Sequence, residues 1–130
     1  MTYDITKLRE LLERVKAEVI PNLIIDLDLC SLLNIPNGNG DSFTRYTAST
    51  DAVLALIERV LPGWADIVIL ETNNMPPEKR WKATIQPSRY SGVYEACNRT
   101  APLALVGCLF TTLIAEHEKP ESKELVKWLS

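Results

Sequence analysis

A single histidine, His117, is the whole imidazole complement of this chain, and that scarcity is informative. A metal site needs several ligands converging on one point, and a Ser-His or Cys-His nucleophile needs its base within hydrogen-bond reach. His117 stands between Glu116 and Glu118, where a solvated side chain is expected, so neither a metal site nor a triad is expected. Cysteine is sparse as well. Cys30, Cys97 and Cys108 are odd in number, lack metal-type spacing and have apolar neighbours. Free Cys in such settings behaves as a small buried hydrophobe, which fits a reducing compartment. Apolar runs break off well before the roughly 18 residues that a membrane-spanning helix takes. The first ten residues are charged and helical in pattern rather than basic and then apolar, so no signal peptide is expected. An excess of one charge is missing too: 14 basic against 17 acidic side chains leave a formal −3. Such a chain has no general pull toward duplex nucleic acid or anionic membranes. An anionic ligand would need a local cluster of Arg or Lys.

What is present is enough for one core. The 130 residues suit a single domain spanning 1–130, and 46% apolar with 24% charged residues is ordinary globular composition. Ile5, Leu8, Leu12, Val15 and Val19 recur at three- and four-residue steps, which predicts an amphipathic helix capped by Asp4 and stopped by Pro21. A second helical stretch is expected over 22–34, although Ile24-Ile25 leaves a strand open there. The turn formers at 37–44 predict a flexible loop. Thr47, Ser49 or Thr50 then caps a third helix with Val53, Leu56, Ile57 and Val60 inward, Asp51 in its favoured first turn, and Pro62-Gly63 closing it.

The run Ile67-Val68-Ile69-Leu70 predicts a strand buried on both sides. Trp81, Ala83 and Ile85 alternate with Lys82, Thr84 and Gln86, the pattern of a half-buried strand. A third strand is expected from Tyr90 or Gly92 to Cys97, completing an antiparallel meander. Thr100 and Pro102 start a last helix so apolar, from Leu103 to Ile114, that it must pack on the sheet and on helices or a partner chain. Trp64 reads as core, and the tail 118–130 as one more short helix anchored by Trp128. The expected fold class is α+β, a small three-stranded antiparallel sheet layered with helices in the order ααα-βββ-α plus that short helix.

Two segments carry a resemblance. Tyr46-Thr47-Ala48-Ser49-Thr50-Asp51-Ala52 leads through a helix to Leu61-Pro62-Gly63-Trp64, and Trp81-Lys82-Ala83-Thr84-Ile85 leads to Ala96-Cys97-Asn98-Arg99-Thr100-Ala101-Pro102-Leu103-Ala104-Leu105. Together they resemble the phage ABA sandwich domain family, small proteins of phages and prophages, with 22–116 as the family-like core and 37–44 as a departure from it. The resemblance implies the fold, a phage origin and a place in the cytoplasm of the infected bacterial host.

Three basic–aromatic pairs stand out: Arg45-Tyr46, Arg80-Trp81 and Arg89-Tyr90. Arg beside an aromatic face can clamp a nucleotide base and its phosphate, although the Arg stems can equally lie over rings at a sheet edge. Arg99-Thr100 places a guanidinium and a hydroxyl at the start of the last helix, where backbone donors and the dipole favour an anion. Asn37-Gly38-Asn39-Gly40 lacks the Lys-Ser/Thr of a phosphate loop. Asp26 and Asp28 point apart on a helix, and only a strand would make them a carboxylate pair. These residues predict no catalytic centre and no cofactor.

The leading expectation is a non-enzymatic phage protein that sequesters a small anionic nucleotide signal of host defence, cyclic nucleotide or cyclic ADP-ribose in type. Its site would gather Arg45, Tyr46, Arg80, Trp81, Arg89, Tyr90, Arg99 and Thr100. Phage sponges of this kind bind at subunit junctions, which implies a homo-oligomer. The second expectation is a phage accessory protein that binds another protein and no small ligand.

Overall fold

Asp4 starts the first helix, as its position predicts: its Oδ1 accepts from the Lys7 N–H at 3.2 Å, filling a donor that a helix start leaves open. The computed structural model describes residues 4–17, 23–33, 46–61, 66–87 and 92–117. The expected loop at 37–44, Trp64, the helix-stopping prolines Pro21 and Pro62, and the tail 118–130 lie outside them. Helix α1 (Ile5–Ala17) buries Leu8, Leu11, Leu12 and Val15, a stripe at helical spacing. Helix α2 (Leu23–Leu33) removes the strand alternative. Ile25, Leu29, Cys30 and Leu33 face inward at three- and four-residue steps, and α2 packs on α1. That burial outweighs the few tenths of a kcal/mol by which Ile disfavours a helix. Of the three hydroxyls offered for α3 (Thr50–Val60), Ser49 is the cap, accepting from the Ala52 N–H at 3.2 Å.

The strands β1 (Asp66–Glu71), β2 (Trp81–Gln86) and β3 (Tyr94–Asn98) form one antiparallel sheet in the order β1-β2-β3. A 3-10 turn, Pro77–Lys79, interrupts the β1–β2 connection and lies against β3. The register runs from Asp66↔Gln86 to Glu71↔Trp81 on one side and from Ile85↔Tyr94 to Trp81↔Asn98 on the other. Residues directly opposed in such a sheet share a face. Ile67, Ile69, Trp81, Ala83, Ile85 and Ala96 therefore line one face, and all belong to the core or pack on it.

Helix α4 (Ala101–His117) covers that face. Thr100 caps it, accepting from the Leu103 N–H at 3.3 Å. Every residue from Leu103 to Phe110 is buried, because the sheet lies on one side of α4 while α1 and α3 pack against others. Each large apolar side chain so enclosed contributes roughly 1.5–3 kcal/mol. The hydroxyls of Thr111 and Thr112 donate to the carbonyls of Gly107 and Cys108, both at 2.8 Å, so α4 carries them into the interior without an unmet donor. The all-round apolarity of α4 is thus met within the chain. The fold is α+β, with the expected ααα-βββ-α order.

Three expectations fail. Strand β1 is not buried on both sides: Val68 and Leu70 are 42% and 55% exposed. It is an edge strand, and no described element covers its second face, so a continuous apolar run here marks a half-covered strand. Cys97 is exposed, whereas Cys30 and Cys108 are buried. Alternation along β3 turns Cys97 away from Ala96 and Asn98, hence away from α4. The third strand also starts late, at Tyr94. Among the described residues no helix is long and apolar enough to cross a membrane.

Candidate functional site

The β2–β3 ladder ends at Trp81↔Asn98, and the side chain of Asn98 fastens that end. It is 4% exposed, its Nδ2 donates to the Val15 carbonyl at 2.9 Å, and its Oδ1 accepts from the Arg99 N–H at 2.7 Å. A buried amide satisfied at both ends fixes the path from β3 into α4. Arg99 follows, exposed and with no ion pair among the described residues, and Thr100 starts the helix. Just before β2, at the end of the 3-10 turn, Arg80 is exposed and donates to Glu71 Oε1 at 3.1 Å. Arg80 and Arg99 therefore flank the same terminal strand pair, beside the N-terminus of α4.

The aromatic partners fare differently. Trp81 is half-buried and packs on the core with Ala83 and Ile85, so its ring belongs to the sheet's helix-covered face. Tyr46 is 7% exposed and part of the core. Arg45, Arg89 and Tyr90 lie outside the described residues. Of the expected site, the structure brings together Arg80, Trp81, Arg99 and Thr100 at one end of the sheet.

Asp26 was expected to be one of two diverging carboxylates, and it is fully buried while Asp28 is exposed. Asp28 pairs with Arg14 at 2.7 Å. The Asp26 carboxylate accepts from the Thr47 N–H at 2.7 Å and from the Thr47 hydroxyl at 3.2 Å. It thereby holds the turn before α3 against α2. Burial raises the Cys30 thiol above its ordinary pKa; the Asp26 carboxylate raises it further and a hydrogen bond with Tyr46 lowers it. This cluster holds the structure together. The signal for it was legible: on a helix, position 26 lies on the same side as 30 and 33, so Asp26 falls on the apolar stripe.

The feature that sequence reasoning missed is the second face of the sheet. Val68, Leu70, Lys82, Thr84, Glu95 and Cys97 share it by register, and no described element lies over it. Lys82 and Glu95 pair there at 3.0 Å. Two depressions lie elsewhere. One of about 440 Å³ runs between α1 and α2, lined by charges of both signs, including the Arg14–Asp28 pair. One of about 300 Å³ sits at the β1–β2 connection beside Glu71, Asn74 and Arg80. Only Arg80 among the expected site residues borders either one. No group of three or more His, Cys, Asp and Glu side chains fit to hold a metal occurs among the described residues.

No family model, no curated protein and no solved structure matches the chain.

Proposed function

We propose that this protein acts by binding another protein through the open face of its sheet, as a phage accessory factor without chemistry of its own. The observation that supports this reading is the asymmetry of the sheet. One face carries α4, and the other exposes Val68 and Leu70, with Val93 at 59% exposure just before β3. Isolated surface apolar residues are ordinary, but several on one flat, partly charged face form a surface that a partner can cover. The phage setting comes from the resemblance of the 46–64 and 81–105 segments. The test is capture of partners from host and phage-infected lysates by wild type and by Leu70→Glu. Leu70→Glu should lose a specific partner that wild type retains, while melting at the same temperature. Identical capture by both proteins rejects the sheet face.

A second reading has its own observation. Arg80 and Arg99 flank one strand pair beside the first turn of α4, which supports a small anion of nucleotide type at that end. A thermal-shift panel of cyclic di- and trinucleotides and cyclic ADP-ribose isomers tests it. A shift that Arg99→Ala and Arg80→Ala both diminish supports the sequestration role in host defence; a flat panel removes it.

A further inference from the structure

The sheet has two edges, and they differ in what they can pair with. An edge strand offers backbone N–H and C=O groups to any strand that lies beside it. In a twofold pair a strand runs antiparallel to its own copy, so each residue contact occurs twice. Strand β1 is poorly suited to this. Paired over its full length it sets Asp66 of one copy opposite Glu71 of the other, acid against acid at both ends.

Strand β3 is suited. Glu95 and Cys97 are exposed on its open side, and Arg99, two residues on, is exposed with no ion pair among the described residues. With the twofold axis at Cys97, Glu95 of each copy stands opposite Arg99 of the other, and Cys97 stands opposite itself. Lys82, already 3.0 Å from Glu95, then completes a Lys–Glu–Arg chain across each end of the junction. Among the described residues no strand lies along the outer edge of β3; the Arg99 N–H just past it is held by Asn98 Oδ1, so Arg99 reaches Glu95 through its guanidinium.

We propose that a second copy of this chain docks along β3 in this register, joining the two sheets into one continuous antiparallel sheet. The inference rests on the protein-binding reading and names one partner, the chain itself. The joined sheets present a doubled open face with Val68 and Leu70 from both copies. Arg99 cannot serve Glu95 of the second copy and a bound anion at once, so dimerisation and anion binding at the sheet end oppose each other.

Sedimentation equilibrium of the full chain tests the association. Wild type sediments as a dimer, and Arg99→Glu, which turns both ion pairs into like-charge contacts, weakens it by about tenfold. Register is tested in a Cys97→Ser background with diamide, which takes the two protons and two electrons released when two thiols form a disulfide. A mixture of Glu95→Cys and Arg99→Cys chains yields a disulfide-linked heterodimer, and neither chain alone does. A chain that stays monomeric at millimolar concentration overturns the proposal, as does a dimer indifferent to Arg99→Glu or one whose cysteine mixture fails to cross-link. Leu70 separates the two readings. A monomer whose partner capture still needs Leu70 overturns the dimer and leaves the sheet-face reading standing, whereas a cross-linking dimer with no Leu70-dependent partner does the reverse.

Discussion

Two apolar runs, Ile67–Leu70 in β1 and Leu103–Phe110 in α4, look alike as sequence and differ in the fold. The α4 run is buried at every position, because a sheet and two helices surround it. The β1 run is covered on alternate positions only, because one neighbouring strand and one helix layer reach it. Apolarity states what a residue would gain by burial; the number of elements around it decides whether the gain is realised.

Substitutions can break that comparison. The largest effect is expected for Phe110→Ala, a fully buried ring at the centre of the helix layer. Truncation of this kind costs about 3–5 kcal/mol, read as a lowered midpoint in urea. The thiols come next. Burial pushes the Cys108 thiol up from 9.0 to about 12, and its Sγ donates to the Tyr94 carbonyl at 3.3 Å. The folded chain therefore keeps a proton that the unfolded chain has released, so the contribution of Cys108 to stability is full below pH 9 and falls between 9 and about 12. Cys108→Ala should flatten that alkaline decline in denaturant titrations. In native protein a thiol reagent should modify Cys97 quickly and leave Cys108 untouched.

Gly107→Ala sharpens the comparison from the opposite side. A Cβ at Gly107 meets Ala96 Cβ and Val15 Cγ1 at 3.7 Å, ordinary contact distance. Replacing a helical glycine where there is room should stabilise by up to about 1 kcal/mol, seen as a raised melting temperature. The smallest effect belongs to the other run. Leu70→Ala, on the open face, should change stability by no more than about 0.5 kcal/mol, and a much larger loss would show that this face is covered.

The element order was legible because each element carries a local signal: the stripe of α1, the Ser49 and Thr100 caps, the two-residue alternation of β2. Exposure was less so. Whether Val68 and Leu70 are covered depends on what lies over the sheet, which no window of residues reports. Tyr46 shows the same limit. It follows a run of turn formers and looks like a surface residue, but its surroundings come from α2, whose Cys30 lies sixteen residues earlier by number (46 − 30). Cys97 could have been placed from its neighbours, since a strand that sends Ala96 and Asn98 inward sends Cys97 out. Of the basic–aromatic pairs, only Arg80-Trp81 lies wholly within the described residues, and its two side chains part company. Arg80 ends the 3-10 turn in helical backbone and stays exposed, whereas Trp81 opens β2 and packs on the core.

The buried Asp26 has a wider consequence through its two bonds to Thr47. They tether α2 to the turn that starts α3, across twenty-one residues of sequence. A change on either side of the tether, in α2 or in the turn before α3, is therefore felt on the other.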